Sequence, residues 1–262
     1  MSRGSIIKRP PDFRRKVEYA RWAPQYERLR QAFGFPLDAE ERAAERLVDL
    51  LPAAARAEPL ERVARRLRGR EVVVVGLAPG AGPPPLWRLP ADAAGPVVVA
   101  ADGAAATCLD AGLVPSVIAS DLDGPVAAEV AANRRGSLVV VHAHGDNRPA
   151  LEQWVPQFPG ELAGSWSGPP RAGLFDVGGF TDGDRAAYLA EHVGARRVLL
   201  WGFDFGSVEE PDPAARRRKL AKLDWARRIL ADLAAESPVP IDAWARDGSI
   251  ARYADSALAS TR

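Results

Sequence analysis

One cysteine (Cys108), one methionine and three histidines are all that the 262 residues contain of those types. A lone thiol excludes an internal disulfide framework and any site built from several cysteines; it fits a reducing compartment, and a cytoplasmic location is expected. No window approaches the roughly 20 apolar residues that span a bilayer. The basic, polar start (Met1–Pro11) has no apolar run behind it, so neither membrane insertion nor secretion is expected. An excess of one charge is also missing, because 35 basic residues offset 34 acidic ones. With no global field to draw the chain to nucleic acid or to a lipid surface, partners must be found by a local site. The basic residues are overwhelmingly arginine, a bias that accompanies abundant alanine and proline and carries no functional message.

Hydrophobic residues make up 47% of the chain, enough for one large core. Residues 1–69 read as a helical N-terminal region: Tyr19, Trp22, Tyr26, Leu29 and Phe33 recur at helical spacing, followed by Leu47, Leu50 and Leu51, then Leu60, Val63 and Leu67. Residues 70–262 read as an α/β catalytic domain. Strands are predicted at Val72–Val75, Val97–Ala101, Val117–Ser120, Leu138–His142, Leu174–Val177 and Val198–Trp201. Helices are predicted at Ala104–Leu113, Pro125–Asn133, Ala150–Gln157, Asp184–Val193 and Pro213–Ala235. That alternation predicts an α/β fold with a mainly parallel central sheet flanked by helices.

Ligands of such a sheet bind beyond the carboxyl ends of its strands, where loops and helix N-termini converge. The endings are Gly76, then Asp102, then Asp121 and Asp123, then His144-Gly145-Asp146-Asn147. The fifth is Gly178-Gly179 with Thr181-Asp182-Gly183-Asp184-Arg185, and the sixth is Gly202 with Asp204. Five of the six endings carry a carboxylate, which scattered surface acids would not do. In Asp121-Leu122-Asp123 the two acids project to one side while Leu122 turns back to the core, an arrangement that suits Mg²⁺ among phosphates. The plainer alternative is a loop pair with Asp123 capping the helix near Pro125.

The remaining candidates are less specific. His142 reads as a hydrogen-bonded strand residue, and His144 as a phosphate contact or an orienter of Asp146; zinc is not expected. Thr181 or Asp182 caps a helix whose N-terminus is also an anion site, with Arg185 adding a planar donor fork. The Gly76, Gly80, Gly82 spacing with its prolines matches neither a dinucleotide fingerprint nor a Walker loop. Lys219 and Lys222 read as a solvated helix face or as phosphate contacts, and Trp166, Phe180 and Phe203 as core or as stacking surfaces.

The segment Ala101–Gly124 (ADGAAATCLDAGLVPSVIASDLDG) resembles the shared core of thiamin pyrophosphokinases and archaeal-type 6-hydroxymethyl-7,8-dihydropterin diphosphokinases. VHAHGDN from Val141, GGFTDGDRA from Gly178, WGFDFG from Trp201 and the run from Lys219 are similar to the pterin enzymes, as is Trp22–Leu51. The chain departs from that pattern in the Pro-rich stretch Ala81–Leu86. The resemblance implies a thiamin-pyrophosphokinase-like fold and transfer of diphosphate from ATP to a reduced pterin with release of AMP. It implies Mg²⁺ on Asp121, Asp123 and Asp146, with these and Arg185 in catalysis. Nucleotide contacts are implied for Gly76, Asp102, His144, Asn147, Thr181, Asp182, Gly183 and Asp184, and pterin contacts for Asn147, Phe203 and Asp204. The expected partners are ATP, AMP and the pterin, with no nucleic acid and no membrane, and a homodimer is left open. The alternatives are a thiamin pyrophosphokinase, a non-catalytic nucleotide-binding module and a metal-dependent glycosyltransferase.

Overall fold

The computed structural model of the chain describes residues 11–90 and 95–256, with side chains from Trp22 onward. The basic residues 1–10 and the side chain of Tyr19 lie outside that description. Four helices come first, α1 (Pro11–Phe33), α2 (Leu37–Leu50), α3 (Ala53–Arg56) and α4 (Pro59–Leu67). β1 (Glu71–Val75), β2 (Val97–Ala101), α5 (Ala104–Asp110), β3 (Val117–Ser120), α6 (Val126–Arg134) and β4 (Leu138–Ala143) follow. Then come α7 (Arg148–Trp154), β5 (Leu162–Trp166), β6 (Leu174–Phe175), α8 (Asp182–His192), β7 (Arg197–Trp201), α9 (Pro213–Glu236), β8 (Ile241–Trp244) and β9 (Ile250–Arg252).

The nine strands form one sheet in the order β6-β5-β4-β3-β2-β1-β7-β8-β9. All neighbours are parallel except β8 and β9, which are antiparallel. The chain steps outward from β1 to β6, then crosses back through α8 to place β7 on the other side of β1. The valine runs form strands because both faces are covered, and a strand buried on both faces needs β-branched apolar residues throughout. Val73, Val75, Val98, Ile118, Val139 and Val141 pack under α2, α5, α6 and α7. Val72, Val74, Val99, Val117, Leu138 and Val140 pack under α4, α8 and α9. The helices before β1 thus contribute to both cores, Leu47 to the first and Leu67 to the second.

Trp22, Tyr26 and Leu29 of α1 join Phe180 and Ile229 in a third, smaller cluster, which fixes α1 over the start of α8. Phe180 is therefore a core residue. α8 lies across β1, β2, β3 and β7, so its N-terminus is set at the carboxyl rim of the sheet. Among the described residues no helix is long and apolar enough to cross a membrane.

Candidate active site

Asp102 follows β2 in left-handed backbone (φ 41°), where its N–H donates to the Ala119 carbonyl of β3 at 2.8 Å. Leu122 is also left-handed (φ 67°) and buried, so Asp121 and Asp123 on either side of it turn outward together. Ligand atoms of Asp102, Asp121 and Asp123 lie within 4.8 Å of one another. Asp123 does not cap α6, whose N-cap is Pro125, which removes the plainer explanation of the pair. Gly124 is required by space: a Cβ there would sit 2.2 Å from Asp102 Oδ2. Beneath the acids, Ser120 Oγ lies 3.1 Å from Asp102 Oδ1 and 2.9 Å from Glu129 Oε1, and it accepts the Leu122 N–H at 2.9 Å. Burial, then the neighbouring Asp102, pushes Glu129 up to about 9, and the Ser120 hydroxyl stands between the two acids as the shared donor.

His144 orients Asp121. The Asp146 N–H donates to its Nδ1 at 3.3 Å, so Nε2 carries the proton and faces Asp121 Oδ2 at 3.2 Å. Burial alone would raise Asp121, but the hydrogen bond from His144, with the charge of Arg185, holds it below the usual carboxylate range. Asn147 is buried and donates to the carbonyls of Asp121 and His142, both at 2.7 Å, while its Oδ1 accepts the His144 N–H. Its amide thus braces the β3 and β4 endings. Asp146, expected beside Asp121 and Asp123, is instead exposed and outside the three-acid group. His144 stands between it and Asp121, and Asp102 takes the third position.

At the start of α8 the four polar side chains divide their work. Asp184 is buried and accepts from the N–H groups of Phe180 and Thr181 and from the Thr181 hydroxyl, a closed capping box. Asp182 turns to the acids instead. Burial and repulsion from Asp121, Asp102 and Asp123 push it well above the carboxylate range, with Arg185 opposing, and its Oδ1 is buried without a partner. Gly183 gives the close approach of the Phe203 ring, 3.0 Å from where a Cβ would stand. Gly179 (φ 93°) lies against the Arg185 backbone, where a Cβ would meet Cα at 2.6 Å.

Gly76 and Gly202 let the β1 and β7 endings touch, each lacking a Cβ that would come within 2.7 Å of the other's carbonyl oxygen. The Phe203 ring covers Gly76. Phe203 and Asp204 line a cleft of about 1010 Å³ on the β7–β9 side, with Arg227 and Arg246. Asp204 accepts the Gly206 N–H at 2.8 Å, and neither residue belongs to the three-acid group. Lys219 pairs with Glu210 at 3.0 Å, as a solvated helix face does. Lys222 leans over the Phe35 ring at 5.9 Å and acts electrostatically on Asp123.

Asp123 is pushed up to about 6, by partial desolvation first and then by Asp121 and Asp102, with Lys222 opposing. Three converging carboxylates suit a hard divalent cation, which prefers oxygen ligands and would relieve their mutual repulsion and that on Asp182.

A family model described as 6-hydroxymethylpterin diphosphokinase MptE-like matches residues 46–210. A protein of Methanothermobacter thermautotrophicus named 6-hydroxymethyl-7,8-dihydropterin pyrophosphokinase is 35% identical over 240 residues, covering 87% of this chain and all of that one. Proteins of the same name from Methanocaldococcus jannaschii and Pyrococcus furiosus are 31% and 35% identical, covering 82% of this chain and 95% and 93% of theirs. A sialyltransferase structure, Cst-I from Campylobacter jejuni, aligns at a TM-score of 0.42 and 12% identity over 69% of this chain and 77% of that one, a likeness that carries no argument. This chain belongs to the 6-hydroxymethylpterin diphosphokinase MptE-like family.

Proposed function

We propose that the chain is a Mg²⁺-dependent 6-hydroxymethyl-7,8-dihydropterin diphosphokinase, moving the terminal diphosphate of ATP to the pterin hydroxymethyl oxygen and releasing AMP. The observation that carries the reading is the convergence of Asp102, Asp121 and Asp123 within 4.8 Å at the sheet's carboxyl rim, in a chain of this family. Phosphoryl transfer depends on positioning and charge neutralisation more than on a covalent protein group, and this rim is built for both. Asp102, Asp121 and Asp123 would hold Mg²⁺, with Asp182 behind them. When bound, Mg²⁺ supplies charge neutralisation for the phosphate oxygens and a template for their orientation.

The chain's own groups do the rest. His144 and Asn147 fix the Asp121 carboxylate and backbone, and the Glu129–Ser120 pair fixes Asp102, so the acids need no rearrangement as charge shifts. Arg185 and the first-turn N–H groups of α8 around Gly183 face the same rim and favour developing negative charge. In the transfer, the hydroxymethyl oxygen bonds to the middle phosphorus, the bridge to the innermost phosphate breaks, AMP takes that bonding pair, and the hydroxyl proton leaves to base or water.

The test is product analysis of purified protein with ATP, Mg²⁺ and either the dihydropterin or thiamin. The expected outcome is AMP and pterin diphosphate with the first acceptor alone. Activity confined to thiamin would overturn the reading, and ATP binding with no turnover on either would favour a non-catalytic module.

A further inference from the structure

Among the described residues nine buried side-chain polar atoms have no hydrogen-bond partner, and four belong to residues lining one small cavity: His142 Nε2, Asp176 Oδ2, Asp182 Oδ1 and Arg185 Nε. Folded proteins leave few such atoms, because each loses its hydration without gaining a partner. Their concentration in one place therefore marks a site for a polar partner.

The cavity lies on the α8 side of the sheet at the carboxyl ends of β4–β6, closed by the first turns of α8 and by residues 176–178. Its polar groups are held from behind. His142 is 3% exposed, and its Nδ1 is taken by Ser165 Oγ at 3.0 Å. Asp176 Oδ1 accepts the Gly178 N–H at 2.9 Å, which leaves Oδ2 fixed and free. The volume is about 20 Å³, enough for a group the size of one water or one amino group. What enters is thus a single small polar group, such as the amino group on the edge of a planar ring. Asp182 joins this cavity to the three-acid rim, since it lines the one and acts electrostatically on the other.

Resting on the diphosphokinase reading, we propose that this cavity receives the exocyclic amine on the amino-pyrimidinone edge of the pterin, with Asp176 as the residue that selects it. The edge presents two adjacent N–H donors, the exocyclic amine and the ring N3–H, beside a carbonyl acceptor. Once the ligand's N–H donors favour the ionised acids over the protonated ones of the empty cavity, Asp176 Oδ2 and Asp182 Oδ1 supply acceptors and Arg185 Nε–H supplies a donor, the complement of that pattern. An adenine edge offers one exocyclic donor flanked by ring acceptors and would leave a carboxylate oxygen unmatched, as would the aminopyrimidine of thiamin. From this seat the hydroxymethyl arm extends past Asp182 toward Asp121.

The experiment is a binding titration without turnover, using 6-hydroxymethylpterin and its 2-oxo counterpart 6-hydroxymethyllumazine on wild type and Asp176→Asn. Binding of the Mg²⁺–ATP analogue is followed in parallel. The amide keeps an oxygen for Gly178 N–H and turns an N–H group toward the ligand. Wild type is expected to prefer the pterin. Asp176→Asn is expected to weaken pterin binding at least tenfold, to shift the pterin-to-lumazine ratio at least tenfold toward lumazine, and to leave nucleotide binding unchanged. Because the ratio is read within each protein, a general loss of affinity does not mimic the effect. An unchanged ratio with pterin bound overturns the assignment of Asp176 and leaves the diphosphokinase reading standing. A wild type that binds no pterin overturns both, and loss of nucleotide rather than pterin binding in the variant assigns the cavity to the nucleotide.

Discussion

The Asp102 carboxylate lies against the bare α-carbon of Gly124: a methyl group there would stand 2.2 Å from Oδ2 and 2.8 Å from Oδ1. Gly124→Ala should therefore displace Asp102, raising the Mg²⁺ concentration for half-maximal rate about tenfold or more, with a stability loss of roughly 1–3 kcal/mol from overpacking. A Mg²⁺ titration of the rate and a thermal melt check both. A normal Mg²⁺ requirement would show that Asp102 is not a ligand.

Asp102 and Asp146 exchange places between the sequence expectation and the structure, and substitution separates them. Asp102→Asn should cost at least about 100-fold in turnover, in the range of losing one strong electrostatic contact in a transition state. Asp146→Asn, on an exposed side chain outside the acid group, should stay within a few-fold. Steady-state AMP release measures both, and the reverse order would restore Asp146 as the third ligand.

Much of this fold was legible in the chain, for a physical reason. Strands covered on both faces must be apolar at nearly every position, so Val72–Val75, Val97–Ala101 and Val117–Ser120 read directly as β1, β2 and β3. β5 did not, because LAGSW has no β-branched residue. Its Gly164 is there for room, since a Cβ would meet Leu174 at 2.4 Å and Leu51 at 2.6 Å, contacts that only the folded chain creates. The short β8–β9 hairpin after α9 was also missed, and β6 is shorter than the strand expected at Leu174–Val177. At the site, the strand-ending rule found the rim and the pair Asp121 and Asp123, but not which third acid joins them. Glu129 in VAAEVAANR looks like a solvated helix residue, and Asp176 like the polar end of a strand. Their roles come from burial, which local pattern does not report.

Glu129 gives a test of the neutral relay beneath Asp102. With its carboxyl pushed up to about 9 by burial, it carries a proton near pH 7, and Glu129→Gln preserves an uncharged side chain with an acceptor for Ser120. That variant should keep the rate within about threefold, while Ser120→Ala, which removes the link to Asp102, should lower it about tenfold, a loss of ~1.4 kcal/mol. Rate and melting temperature are read together. Equal losses in the two variants would show that the relay is only packing.

Asp176 makes a prediction about pH. Burial, outweighing the backbone N–H groups and Arg185, lifts its carboxyl to about 7, whereas the unfolded chain titrates near the ordinary value of 3.8. Between those values the native state keeps a proton that the unfolded state has lost, so this group's contribution to stability falls as pH rises from about 4 to 7. Asp176→Asn has no such dependence. The ligand-free variant should therefore gain on wild type between pH 5 and pH 8, by on the order of 2 kcal/mol. Thermal or urea denaturation at the two pH values measures it, and parallel curves would contradict the buried, protonated assignment.

The most direct test of the central claim is single-turnover AMP formation from ATP, Mg²⁺ and 6-hydroxymethyl-7,8-dihydropterin by wild type, Asp121→Asn and Asp123→Asn, with folding verified by circular dichroism. The account predicts rapid Mg²⁺-dependent AMP release by wild type and loss of at least about 1,000-fold in each folded variant. Near-normal rates in both variants would contradict it.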